Sequence, residues 1–282
     1  MFSISAVLVF IITGLYGSEK TKKLIEEINK FEKSKDKYFL YKTAEDLIKS
    51  DALETNKEDL NDFFYIFRKA SFYFPDRIDF AEKLKILFDK KEAQKLLSED
   101  DKSIVLRSFV EARMFEEAKS FSLKYFLDDY YIPDKVPIKQ KSEVKGRVLY
   151  FSDDKKELKI KKVNLKKYKL AVIFSPTCGA TENALTYLLK DETSRMAIRN
   201  NSIFLTRRYL PKELFDFAEK FKLKNIYIVY KSKDFEGLYF YSYPIFYFIK
   251  DGKIVDEIRG FSSDNDGKPF IDRFLKSFEK VR

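Results

Sequence analysis

The sequence predicts two domains of different class, an all-α first half and an α/β second half. Apolar residues recur at helical spacing through residues 20–130, whereas short apolar runs alternate with helical stretches beyond residue 147. Residues 18–135 carry 24 Lys and Arg against 26 Asp and Glu, and residues 136–282 carry 31 against 19. The net charge therefore changes from −2 to +12 along one chain, which supports a domain boundary.

Residues 1–17 have the pattern of a secretory signal peptide. The run ISAVLVFIITGLY at 4–16 is apolar, and the charged segment SEKTKK follows it. A membrane-spanning helix needs about 20 apolar residues, so this shorter run fits a signal sequence cleaved after Gly17. We expect an exported protein, periplasmic or extracellular. An uncleaved segment that tethers the chain to a membrane and a buried N-terminal element are the alternatives.

Residues 18–132 are expected to form a helical domain. Helical periodicity is clear in DLNDFFYIFRKASFYF and in RIDFAEKLKILF, and a later stretch contains two helices joined near Arg113 and Met114. We predict helical hairpins, that is antiparallel helix pairs, in a solenoid-like arrangement. The domain is either an accessory without chemistry or a binder of peptides between its helices. Residues 133–147 carry two prolines and many charges, and are expected to be a linker.

The second domain, 148–282, is expected to be a central mixed sheet flanked by helices. Strands are predicted in RVLYF, LKIKKV and LAVIF, followed by a helix in ENALTYLLKDETSRMAI. Strand NSIFLTRR, helix PKELFDFAEKFK, strands NIYIVYK, PIFYFIK and KIVDEIRGF, and a closing helix PFIDRFLKSFEKV complete it. The Asp251-Gly252 pair between two apolar runs predicts a tight hairpin.

Composition excludes several kinds of site. The chain has no His and one Cys, so His-dependent catalysis and a structural zinc site are excluded, and we predict no metal and no cofactor. The basic second half would attract acidic partners or an anionic membrane surface. Its Lys residues are scattered and belong to no nucleic-acid-binding motif, so we expect no nucleic acid partner.

The single cysteine, Cys178, lies in VIFSPTCGATENAL, where a predicted strand meets a predicted helix. The start of a helix presents unpaired N–H groups and a partial positive charge, which stabilise a thiolate. One cysteine cannot form an internal disulfide, so it is a reactive thiol, an intermolecular partner or a buried apolar side chain. Arg207 and Arg208 follow the next strand; we expect a solvated strand end there, and a position near the thiol is the alternative.

Two segments resemble the thioredoxin superfamily, and specifically the exported thioredoxin-like proteins of bacteria. LAVIFSPTCGATENALTYL resembles the strand, active-site turn and helix of that family, and SYPIFYFIKDGKIVDEIRGF is similar to its cis-proline segment. The resemblance implies a thioredoxin-like fold for 148–282, with Cys178 as the catalytic residue and Tyr243 and Pro244 in the substrate groove. The residues of the supporting motif would be Pro176, Thr177, Gly179 and Thr181.

The chain departs from the family pattern at two positions. Thr181 occupies the position where the family has its second, resolving cysteine. The family's buried acid would fall near Val172, and no acid is present there. A dithiol enzyme escapes its mixed disulfide by internal attack, so this chain would need an external thiol reductant. Three functions follow: monothiol disulfide exchange with partner proteins, partner binding or scaffolding without turnover, and peroxiredoxin-like reduction of hydroperoxides. Whether the protein is an enzyme stays open.

Overall fold

The chain divides between residues 129 and 130 into two compact units. The computed structural model describes residues 26, 38–49, 57–128, 130–137, 144–262 and 267–282. The predicted signal sequence, residues 1–17, lies outside these described residues. Within them, no helix combines the length and the apolar character that crossing a membrane requires.

The described part of the first unit is helical, as predicted. Each helix packs on the next, and α2 also packs on α4. A left-handed residue, Arg113, with φ of 63°, separates the last two helices, where the sequence predicted their junction. The helices are α1 (Tyr38–Lys49), α2 (Lys57–Tyr73), α3 (Ile78–Ala93), α4 (Glu99–Glu111) and α5 (Phe115–Tyr125).

A buried ion pair joins α3 to the first turn of α4. Lys91 Nζ lies 2.7 Å from Asp101 Oδ2, and both side chains are about 5 % exposed. Asp101 also accepts from the backbone N–H of Ser98 at 3.0 Å and from its hydroxyl at 2.7 Å, which caps the helix. Burial alone would raise the pKa of Asp101, but the hydrogen bonds from Lys91 and Ser98 outweigh it and lower that pKa.

The second unit contains a mixed sheet of seven strands flanked by helices. The strands are ordered β2-β1-β5-β4-β3-β6-β7. Strands β3, β4 and β5 run parallel, whereas β3 with β6, β6 with β7, β1 with β5 and β1 with β2 are antiparallel. The strands are β1 (Arg147–Phe151), β2 (Leu158–Lys162), β3 (Leu170–Ile173), β4 (Ser202–Thr206), β5 (Ile226–Val229), β6 (Ile245–Lys250) and β7 (Lys253–Arg259).

Both faces of the central strands are buried, which explains why β3, β4 and β6 read as nearly continuous apolar runs. On one face, Phe174 stacks on Phe217, and Phe246 and Phe248 contact Phe274. The opposite face is closed by connecting segments that contribute Phe235 and Phe240. The helices of this unit are α6 (Gly179–Leu188), α7 (Glu192–Asn201), α8 (Pro211–Phe221) and α9 (Lys268–Glu279).

The second unit begins at Tyr130, and residues 138–143 of the predicted linker, 133–147, lie outside the described residues. Within this unit, the Tyr131 carbonyl accepts from Tyr209 at 3.0 Å, and Lys135 pairs with Glu157. The structure differs from the sequence prediction after β3. The single predicted helix after β3 is two helices, because Asp191 accepts from the backbone N–H of Ser194 at 2.7 Å and starts α7.

Candidate functional site

Cys178 is the N-cap residue of α6. Its backbone N–H donates to the carbonyl of Ser175 at 3.1 Å, and its own carbonyl accepts from the N–H of Glu182 at 3.1 Å. The first bond closes the turn that leaves β3, and the second is the first hydrogen bond of the helix. The thiol is thus attached at the start of the helix, where backbone N–H groups have no partner within the helix.

The segment before β6 lies next to this turn. In the antiparallel register, Ile173 at the end of β3 pairs with Ile245 at the start of β6. The Tyr243–Pro244 peptide bond, which immediately precedes β6, is cis. Cys178 Sγ lies 3.9 Å from the carbonyl oxygen of Tyr243, a long and weak S–H···O contact. The structure therefore brings Cys178, Tyr243 and Pro244 together from positions 65 residues apart.

The surface in front of α6 is open. Cys178 and Pro176 are half-buried, whereas Thr177 and Gly179 are exposed. A Cβ atom added at Gly179 would meet no other atom within 4 Å. The Thr177 hydroxyl lies 3.2 Å from that of Ser175 and so is held within the turn. The thiol is therefore not sealed in the core, and a second molecule has room to approach it.

Thr181, one helical turn after Cys178, faces the interior. The residue is 0 % exposed, and among the residues that the structure describes its Oγ1 has no hydrogen-bond partner. A thiol at this position would likewise be enclosed. The position at which the resemblance implies a resolving cysteine is thus filled by a buried hydroxyl.

Charged side chains flank the site. Glu182, in the first turn of α6, forms an ion pair with Lys220 of α8, so its carboxylate does not stand isolated beside the helix start. Arg207 follows β4 at the same edge of the sheet as Cys178, because β3 and β4 are parallel and Ile173 pairs with Leu205. Glu182 and Arg207 therefore both lie at the end of the sheet where Cys178 is located.

The expected solvated strand end is wrong for Arg207. That side chain is 6 % exposed, and its guanidinium lies 4.5 Å from the centre of the Tyr241 ring. Tyr241 is two residues before Tyr243, so Arg207 packs against the segment that carries Pro244. Sequence reasoning missed Tyr241, although the aromatic run YFYSY before Pro244 was visible as a signal.

Comparison with family models, with curated proteins and with solved structures finds no match for this chain in any of the three. Within the described ranges, no cluster of three or more Cys, Asp or Glu side chains is arranged to hold a metal ion. The functional interpretation therefore depends on the geometry around Cys178 and on the resemblance of its two segments.

Proposed function

We propose that the second unit is a thioredoxin-like domain in which Cys178 carries out monothiol disulfide exchange with partner proteins. The observation that carries the proposal is the position of Cys178, a half-buried residue at the start of α6 whose Sγ lies 3.9 Å from the carbonyl oxygen of Tyr243. The thiolate form of such a cysteine can attack a disulfide that reaches it from solvent. Tyr243 and Pro244 would form the wall against which the partner segment lies.

The topology supports this interpretation. The four strands β4-β3-β6-β7 comprise a parallel β3–β4 pair joined through helices and an antiparallel β6–β7 hairpin followed by α9. That arrangement is compatible with a thioredoxin-like core. Helix α8 and strand β5 lie between β4 and β6 in the chain, and β5 extends the sheet from β4 toward β1.

The proposed reaction consists of three exchanges. The Cys178 thiolate attacks one sulfur of a partner disulfide, a bond forms between the two sulfurs, and the other partner sulfur leaves as a thiolate. Because the chain has a single cysteine, an external thiolate such as that of glutathione attacks the Cys178 sulfur of this mixed disulfide, so the partner's second sulfur leaves as a thiolate and Cys178 carries the external thiol. A second external thiolate attacks the external sulfur of that adduct and releases the Cys178 thiolate, so the partner disulfide is reduced and two small thiols are oxidised to one disulfide.

A second candidate is partner binding without turnover. It is favoured by the buried Thr181 hydroxyl, which occupies the position where a resolving thiol would be needed. In this version Cys178 and the Tyr243–Pro244 segment bind a partner, and no exchange follows. The excess of positive charge in residues 136–282 would favour a partner with an acidic surface or an anionic membrane surface.

Insulin reduction with glutathione separates the two candidates. Monothiol exchange predicts turnover that is proportional to protein concentration and absent in Cys178→Ser. Thr177→Ser is a matched control, because it keeps a hydroxyl in the turn and leaves the thiol in place. Binding without turnover predicts that neither the unmodified protein nor Cys178→Ser reduces insulin. A stoichiometric burst of hydroperoxide reduction would instead indicate a peroxidatic cysteine.

Export belongs to the same proposal and is supported by the apolar run at residues 4–16. A mixed-disulfide pull-down from the cell envelope, with Cys178→Ser as the control, would identify partners. Recovery of cytoplasmic proteins alone would contradict export.

A further inference from the structure

The first unit contains a pocket of about 210 Å³ between helices α2, α3 and α4. Its apolar wall includes Phe72 and Tyr73 from α2, Leu84 from α3 and Ile104 from α4. A cavity of about 150 Å³ already accommodates a benzene ring. This pocket therefore has room for one large side chain together with a small polar group.

The charge of the pocket is opposite to that of its surroundings. Of the described residues that line it, Arg68, Lys69 and Arg107 are basic and Glu111 is acidic, whereas residues 18–135 as a whole carry net charge −2. The Arg107 guanidinium lies 4.9 Å from the centre of the Phe72 ring, within cation–π range. A planar guanidinium donates two parallel hydrogen bonds to a carboxylate. The pocket is thus suited to an anionic group.

A buried hydroxyl adds a second, independent indication of a ligand. Ser71 lines the pocket, is 4 % exposed, and its Oγ has no hydrogen-bond partner among the residues that the structure describes. Buried polar atoms are usually paired, so a partner from outside is expected. Ser108 is the internal comparison: it lines the same pocket, but its Oγ donates to the carbonyl of Val105 at 2.8 Å.

We infer that this pocket binds the free C-terminal carboxylate of a peptide whose last residue is apolar. Arg68 and Arg107 hold the carboxylate, Ser71 donates to one of its oxygens, and Phe72 and Leu84 contact the side chain. Inorganic phosphate has no apolar group that could contact Phe72 and Leu84, so the peptide acid is favoured over it. The inference concerns the first unit and is independent of the chemistry at Cys178.

Isothermal titration of the full chain with the peptide acetyl-Ala-Ala-Phe tests the inference. We expect saturable binding at one site, and binding at least about tenfold weaker for the same peptide with a C-terminal amide, because charge-assisted hydrogen bonds are lost. Inorganic phosphate should compete more weakly than the free peptide acid. Arg107→Gln and Arg68→Gln should each weaken binding of the acid by about tenfold and leave the amide unchanged.

Lys102→Gln is the matched control, since Lys102 lies on α4 but outside the pocket, 5.3 Å from the centre of the Tyr125 ring. It should leave the affinity within about twofold, as expected for a solvent-screened charge. Arg68 is exposed, so Arg68→Gln should leave the fold intact and remains a valid test even if Arg107→Gln disturbs folding. Equal binding of acid and amide, equal loss in Lys102→Gln, tighter binding of phosphate, or no saturable heat would overturn the inference.

Discussion

The hydroxyl of Thr181 yields the sharpest stability prediction of the structure. A buried hydroxyl without a hydrogen-bond partner costs about 1–3 kcal/mol relative to an apolar group of the same shape. Thr181→Val replaces that hydroxyl with a methyl group in an enclosed space, and Thr181 is 0 % exposed. We therefore expect the variant to be more stable by about 1–2 kcal/mol, or about 3–6 °C for a unit of this size.

The assay is urea denaturation of the full chain under reducing conditions, followed by circular dichroism. Thr177→Val is the control, because Thr177 is exposed and its hydroxyl lies near that of Ser175. This control should change the unfolding free energy by no more than about 0.5 kcal/mol. A loss of stability in Thr181→Val would contradict this prediction, since it would mean that the hydroxyl has a partner in the folded protein.

Three further predictions concern the stability of the two units. Asp101→Asn leaves Lys91 buried without its partner and should cost about 3–5 kcal/mol in urea denaturation at pH 7, whereas the exposed Asp100→Asn should be nearly neutral. The pKa of Asp101 is lower in the folded protein than in the unfolded chain, so its stabilising contribution is present above about pH 4 and is lost as the pH falls through the folded-state pKa. The unfolding free energy should therefore fall less between pH 5 and pH 3 in Asp101→Asn than in the unmodified protein. An equal fall in the two proteins would contradict this prediction. Phe274→Ala should lower the unfolding free energy by about 3–5 kcal/mol, because the ring is 0 % exposed and packs on two rings of β6, and a cost below about 1 kcal/mol would contradict that packing.

Local periodicity predicted most of the described elements of both halves. The alternation of helices and strands, the junction near Arg113 and the hairpin at Asp251-Gly252 are all present in the structure. At the hairpin, Asp251 and Gly252 both have positive φ, 53° and 80°, as expected for that dipeptide in a two-residue turn. These features depend on residues that are close together in the sequence, so the local sequence pattern is sufficient to predict them.

Features that depend on distant residues could not be predicted. The burial of Arg207 follows from a ring contributed by Tyr241, and the pocket of the first unit is built from three helices. The break between α6 and α7 was missed because the helical pattern continues across it, although Asp191 is a good N-cap residue. At the candidate site, the sequence indicated which residues would lie together but not that Thr181 would be fully enclosed.

The reactivity of the native thiol tests the central proposal most directly. The reduced full chain is incubated with oxidised glutathione, and intact mass is measured with and without prior unfolding in urea. The account predicts one glutathione adduct on the native protein, located at Cys178 and removed by reduced glutathione. An adduct that forms only after unfolding would contradict it, because the thiol would then be inaccessible in the folded chain.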